Sequence, residues 1–191
     1  MLTVQLDKMD LQPGMRVLDL GCGRGRHLHA LYWHDVPLDV VGVDLSHGEV
    51  KAAFDGFFQL PPPEPFSELR SATTSAADAA RLPFKNQSFD RIICSEVLEH
   101  VPDPDLVLAE IERILKPGGL FISKTVCNLP LKWRIMKLIL PLVQMLGKAP
   151  YVNFMSAQQW ENIIESGGFK IVESGNYPKT AMSRYIVARK I

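Results

Sequence analysis

Val17-Leu18-Asp19-Leu20-Gly21-Cys22-Gly23-Arg24-Gly25 decides how this chain is read, because a short apolar run opens there into three glycines separated by single residues. Met15 to Leu20 has the length and composition of a buried strand, and a helix is expected from about Arg24 to Trp33. The glycines therefore occupy a strand-to-helix turn, where unhindered backbone and the N–H groups of a helix N-terminus can approach a ligand. Spacing separates the nucleotide-binding patterns that use this geometry. A phosphate-cradling P-loop ends in Gly-Lys-Ser/Thr, whereas Gly25 is followed by Arg26-His27, so that reading fails. The dinucleotide pattern G-x-G-x-x-G would start at Gly21 and need a small residue at position 26, where Arg26 stands; an NAD-dependent oxidoreductase is weakened but kept as an alternative.

Working outward, Asp39-Val40-Val41-Gly42-Val43-Asp44 reads as a second buried strand ending in an acid. A carboxylate at that place offers several lone pairs to two neighbouring ribose hydroxyls, without telling one nucleotide cofactor from another. Ser46 with Glu49 forms a capping box, so a helix is expected from there through Phe57 or Phe58. Leu69 to Ser75 is a weaker third strand, and Ser88 to Cys94 a fourth. Asp103 caps a helix with Pro104 at its first position, and Leu106, Ala109, Ile111, Ile114 and Leu115 are expected on its apolar side. Lys116-Pro117-Gly118-Gly119 should end that helix before a fifth strand, Leu120 to Val126. Ser156 and Gln159 predict another capped helix, stopped by Gly167-Gly168, and Phe169 to Glu173 with Tyr185 to Ala188 predict a closing antiparallel hairpin.

The pattern Asp-x-Gly-x-Gly-x-Gly over Asp19 to Gly25 resembles the first motif of class I S-adenosylmethionine-dependent methyltransferases. Ala77-Asp78-Ala79-Ala80-Arg81-Leu82-Pro83-Phe84 is similar to that family's D-A-x-x-L-P-F stretch, and Phe89 through Gly119 resembles the methyltransferase type 11 group almost continuously. The likeness covers about the first 125 residues. It implies an α/β fold, a Rossmann-like doubly wound sheet of seven strands, mostly parallel with an antiparallel C-terminal hairpin, in one domain spanning 1–191. It also implies S-adenosylmethionine as cofactor and S-adenosylhomocysteine as product. Asp19, Gly21, Cys22, Gly23 and Gly25, with His27, are then expected at the methionine end, Asp44 and Leu45 at the ribose, Asp78 and Ala79 at adenine, and Ser95 at the sulfonium.

Methyl transfer from a sulfonium needs the nucleophile held in line and, where it carries a proton, a base. His100 is the candidate base, in the loop that follows the fourth strand; equally, its ring could serve only to hold that loop before Pro102. If the loop is a helical turn, Glu96, Glu99 and His100 share a face and could hold Mg²⁺ or Zn²⁺, and the segment also resembles that of ubiquinone-biosynthetic O-methyltransferases, where matching residues are associated with a divalent ion. Only a dozen residues precede the first strand, less than the longer N-terminal region of those enzymes. Neither an Asn/Asp-Pro-Pro-Tyr sequence nor Pro-Cys follows the fourth strand, so nucleic-acid bases are not the expected acceptor. A small-molecule or lipid-like acceptor is, with a binding-only or regulatory domain as the alternative to an enzyme.

Composition bounds the rest. One domain with a full core fits 191 residues, and a formal net charge of zero supplies no general field for nucleic acid. Cys22, Cys94 and Cys127 form no CxxC pair and read as buried thiols in a reducing, cytoplasmic setting. No signal peptide or bilayer-spanning run is read from the sequence, and nothing in it sets the oligomeric state. Residues 127–155 are expected to form a helical cap over the substrate. Between Arg113 and Trp160 there is no acid, while Lys132, Arg134, Lys137 and Lys148 punctuate an apolar series around Trp133. That composition suits a helix lying on an anionic membrane, so peripheral membrane contact through 127–154 is also expected, against the alternative of a buried cap.

Overall fold

The computed structural model describes residues 2–59, 61–64, 66–127, 152–153, 155–177 and 182–191. The basic apolar segment, with its expected cap and membrane contact, lies almost entirely outside the described residues. Seven strands form one sheet in the order β3-β2-β1-β4-β5-β7-β6. They are β1 (Arg16–Leu20), β2 (Asp39–Asp44), β3 (Ser71–Ala76), β4 (Phe89–Ser95), β5 (Leu115–Val126), β6 (Phe169–Asn176) and β7 (Ser183–Lys190). The first five run parallel, β7 pairs antiparallel to both β5 and β6, and so the expected class and hairpin are both found.

The central strands are apolar at successive positions because both faces are covered. Leu18, Ile92 and Phe121 face one core; Val17, Ile93 and Ile122 face the other. The first core is closed by α3 (Pro104–Ile114) and α4 (Ala157–Ser166), the second by α1 (Arg26–Tyr32), α2 (His47–Gly56) and the segment that leads into β1. In that segment a 3-10 turn, Leu6–Met9, buries Met9, and Arg91 of β4 donates to the carbonyls of Met9 and Asp10. A segment that carried no motif thus helps to cover this face, with Val4 and Met9 buried and Leu6, Leu11 and Met15 packed beside them.

Local signals acted largely as expected. Ser46 accepts from the Glu49 N–H, although its own N–H turns to Asp44 and the expected box there is only half made; Asp103 accepts from the N–H groups of Asp105 and Leu106, and at α4 the Ser156/Gln159 box is reciprocal. Three expectations are corrected. The buried face of α3 is Pro104, Val107, Leu108, Ile111 and Ile114, while Leu106 and Ala109 are exposed; starting the three-and-four spacing at Pro104 turns both outward. Lys116 to Gly119 is no separate loop, since β5 begins at Leu115 and these residues bulge out of its pairing with β4, between Phe89↔Leu115 and Arg91↔Leu120. Pro117 lacks a ladder N–H and Gly118 has φ of +72°, which suits a bulge. Finally, β3 starts two residues later than expected and leaves Leu69 exposed.

Candidate functional site

The carboxyl ends of β1, β2 and β4 meet in one cleft, where open α/β sheets place their ligands. Gly21, Gly23 and Gly25 all have positive φ, at +73°, +51° and +89°. The Gly21 and Cys22 N–H groups both donate to the Val43 carbonyl, at 2.7 and 2.9 Å, which sews the turn to the end of β2. Gly23 N–H donates to Asp44 Oδ2 at 2.9 Å, and Asp44 Oδ1 accepts the Ser46 N–H, also at 2.9 Å. Asp44 is therefore both the acid at the end of the second strand and the post joining glycine turn to helix α2. Each of its oxygens has a further lone pair for a ligand.

Asp78 is brought alongside by the backbone. Ala77 N–H donates to the Asp44 carbonyl at 3.0 Å, and Asp78 Oδ1 accepts the Ala80 N–H, leaving an exposed carboxylate on the cleft wall. Leu82 and Phe84, further along that turn, are held by α3: Arg113 donates to both carbonyls and pairs with Glu110, which accepts the Leu82 N–H.

Of the residues expected from sequence, Gly21, Asp44, Leu45, Asp78, Ala79 and His100 line this cleft together with Glu96. Val97 and Val101, which carried no motif, also line it. A Cβ on Gly21 would stand 2.1 Å from Val97 Cγ2, so the loop after β4 rests directly on the glycine turn. Gly25 has a structural reason as well, because a Cβ there would meet the His29 ring at 2.7 Å where α1 packs on α2.

Asp19, His27 and Ser95 are instead buried behind the cleft, and Cys22 and Gly23 belong to the turn without lining it. Asp19 Oδ2 accepts the Leu28 N–H, and burial pushes its carboxyl up to about 7 against that bond and the nearby Arg26. Burial lowers His27 to about 4. Its Nε2 accepts the Thr3 N–H, which leaves the ring proton on Nδ1 facing Asp19 Oδ1 at 3.9 Å. That separation is long for a hydrogen bond, and with both groups neutral between about pH 4 and 7 the contact is not an ion pair there. The Thr3 hydroxyl also meets Ser95 Oγ at 2.8 Å. Sequence reasoning missed Thr3, since no pattern marks a residue that reaches the site from 24 positions away.

The proposed metal set does not assemble. Glu96 adopts φ of +62°, off any helix, and pairs with the nearly buried Lys124 at 2.7 Å and with Arg26 at 3.7 Å. Glu99 turns inward, where its Oε1 caps the Val126 N–H at the end of β5, and burial raises its carboxyl. His100 faces the cleft. Only Leu98–His100 form a turn, and it is a 3-10 turn, so the shared α-helical face needed by all three residues never forms. Among the described residues no group of three His, Cys, Asp or Glu side chains is placed to hold a metal.

A doubly wound sheet with a glycine turn at β1, an acid ending β2 and a cleft at the strand carboxyl ends defines a nucleotide-cofactor domain of the methyltransferase type. The chain matches the methyltransferase domain model over residues 4–174, and it belongs to that family. It is 35% identical over 119 residues to a ubiquinone biosynthesis O-methyltransferase of Hahella chejuensis, covering 62% of this chain and 46% of that protein. An S-adenosylmethionine-dependent methyltransferase structure from Methanosarcina mazei superposes with a TM-score of 0.78 at 20% identity, covering 100% of this chain and 99% of that one. The [4+2]-cyclase SpnF gives 0.73 at 20% identity, over 96% of this chain and 78% of its own. This chain spans between 32% and 65% of the length of the curated relatives it matches.

Proposed function

We propose that this domain binds S-adenosylmethionine in the cleft between β1, β2 and β4 and transfers its methyl group to a small-molecule or lipid-like acceptor. The observation that carries the reading is the placement of Asp44 and Asp78, two half-engaged carboxylates side by side beyond the glycine turn. Asp44 accepts the ribose hydroxyls, Asp78 with Ala79 takes the adenine edge, and Leu45 and Val101 flank the ring. Gly21 permits close approach at the methionine end, behind which Asp19, His27 and Ser95 form the buried floor. Bound there, S-adenosylmethionine supplies an electrophilic sulfonium methyl. His100 removes the acceptor's proton at the cleft mouth.

Calorimetric titration with S-adenosylhomocysteine and with NAD tests the ligand. Methyl release from labelled S-adenosylmethionine across paired phenol, amine and fatty-acyl acceptors then separates an enzyme from a domain that only binds. Binding of NAD in preference to S-adenosylhomocysteine would overturn the assignment. The lipid-like class is supported by the acid-free, Trp-bearing sequence between β5 and α4, with Lys132, Arg134, Lys137 and Lys148 each worth about 1 kcal/mol beside an anionic surface. Sedimentation with anionic and neutral vesicles checks it; equal and negligible binding to both would end that part of the reading. Among the described residues no helix is long and apolar enough to cross a membrane.

A further inference from the structure

We propose that Asn153 is the positioning residue for His100. The two are 53 positions apart, and nothing in the sequence around Asn153 marks it. His100 ends a 3-10 turn of three residues, Leu98–His100, in which the His100 N–H donates to the Val97 carbonyl at 2.8 Å. So short a turn has little rigidity of its own, because 3-10 hydrogen-bond geometry is poor and a single turn gains nothing from cooperativity. The loop also enters through the left-handed Glu96, which adds strain instead of order.

Asn153 holds this turn on both sides of the histidine. Its backbone N–H donates to the Glu99 carbonyl at 2.6 Å, and its side-chain Nδ2 donates to the Val101 carbonyl at 2.7 Å. A carbonyl acceptor requires a donor opposite it, so the amide orientation at Asn153 follows from the contact itself. The residues immediately before and after His100 are thus tied to one side chain and one backbone from a different part of the chain. Beneath them, Leu98 is fully buried and Glu99 is anchored to the Val126 N–H. His100 is left facing the cleft on a support fixed at each neighbour. A base works only if its nitrogen is held within hydrogen-bond reach of the proton it takes, and a loop residue gains that order from bonds to its neighbours such as these.

This inference rests on His100 being the proton acceptor, and its NMR measurement does not need the methyl acceptor to be known. Asn153→Ala removes the Val101 bond and keeps the backbone one. Asn153→Asp keeps size and backbone but sets a carboxylate oxygen against the Val101 carbonyl. The ring signal of His100, identified as the one that disappears in His100→Ala, is followed by NMR in protein saturated with S-adenosylhomocysteine. In both variants it is expected to shift and broaden, while affinity for S-adenosylhomocysteine stays at the parent value and the other histidine signals stay in place. A purely structural role for Asn153 predicts the opposite pattern, with general loss of stability and no selective change at His100. An unmoved His100 signal in a folded variant of either kind would overturn the proposal. Failure of the parent to bind S-adenosylhomocysteine would instead overturn the cofactor reading, and full turnover in His100→Ala the assignment of the base.

Discussion

Replacing Asp44 with alanine removes the acceptor for Gly23 N–H and the acceptor for Ser46 N–H, and with them the carboxylate proposed to accept the ribose hydroxyls. The first two are charge-assisted bonds of 2.9 Å at a half-buried residue, where the freed N–H groups can reach water. A loss at the low end of the usual range is expected, roughly 1 to 2 kcal/mol of stability. For a domain of this size that lowers the melting temperature by roughly 2 to 8 °C. The third loss appears only on binding. A ribose hydroxyl left without its acceptor in the bound complex costs about 1 to 3 kcal/mol, or roughly 5- to 150-fold in affinity for S-adenosylhomocysteine. Asp44→Asn keeps one oxygen but turns an NH₂ toward a backbone donor, and is expected to fall between the two. Calorimetry gives the affinity and a thermal melt the stability. An alanine variant that melts lower yet binds as tightly as the parent would refute the ribose role and leave only the bracing one.

The remaining expectations concern the buried layer, the glycine turn and the base. Asp19, pushed up to about 7, contributes stability that is full below its unfolded value of about 4 and is lost as pH rises through about 7; His27, lowered to about 4, contributes above about 6.5 and loses that as pH falls through about 4. The two slopes oppose each other, so Asp19→Asn should leave stability rising from about pH 4 to 6.5 and His27→Gln should leave it falling from about pH 4 to 7. Urea melts at stepped pH read this directly, and identical profiles in parent and variants would contradict it. Gly21→Ala places a Cβ 2.1 Å from Val97 Cγ2 at φ of +73°, so about 2 to 4 kcal/mol should be lost, part of it recovered by adding Val97→Ala. Chemical denaturation checks the cycle; a single variant as stable as the parent would show that Val97 does not rest on the turn. His100→Ala should lower methyl transfer by about 100-fold or more with donor affinity nearly unchanged, measured by turnover and calorimetry on one preparation. Parent-like turnover would remove the base.

Most of the strands were legible in the sequence because each parallel strand is covered on both faces and must be an unbroken apolar run, and because glycine, proline and capping residues mark where such runs stop; that they form one mostly parallel sheet was implied by the family resemblance, and their order came from the structure. Val17 to Leu20, Val40 to Val43 and Ile92 to Cys94 are local facts of that kind. So is the acid that closes the second: an acid at the end of a parallel strand reaches the carboxyl edge whatever else the chain does, which is how Asp44 could be placed on the cleft in advance, whereas Asp78, two residues beyond β3, was expected there only from the family resemblance. Where sequence reasoning went astray, spacing alone was asked to settle an orientation. Leu106 has the chemistry of a core residue, but the helix starts where Pro104 can be buried, and that phase turns Leu106 to solvent.

Glu96, Glu99 and His100 show the same limit at the site. Three and four residues apart, they share a face only if the backbone is helical, and whether it is depends on Lys124 drawing Glu96 one way and the Val126 N–H drawing Glu99 inward. Thr3 against His27 and Asn153 around His100 lie further still from any local rule, since a hydrogen bond across 24 or 53 positions leaves no periodicity in the chain. What the sequence by itself determined is the presence of the strands, the carboxyl ends of β1 and β2 and the acid that closes β2, because short-range sterics and burial act on neighbours. Only the tertiary structure decided which side chains behind and around the cleft touch one another, because those contacts depend on how separate elements meet once the sheet has closed its two cores.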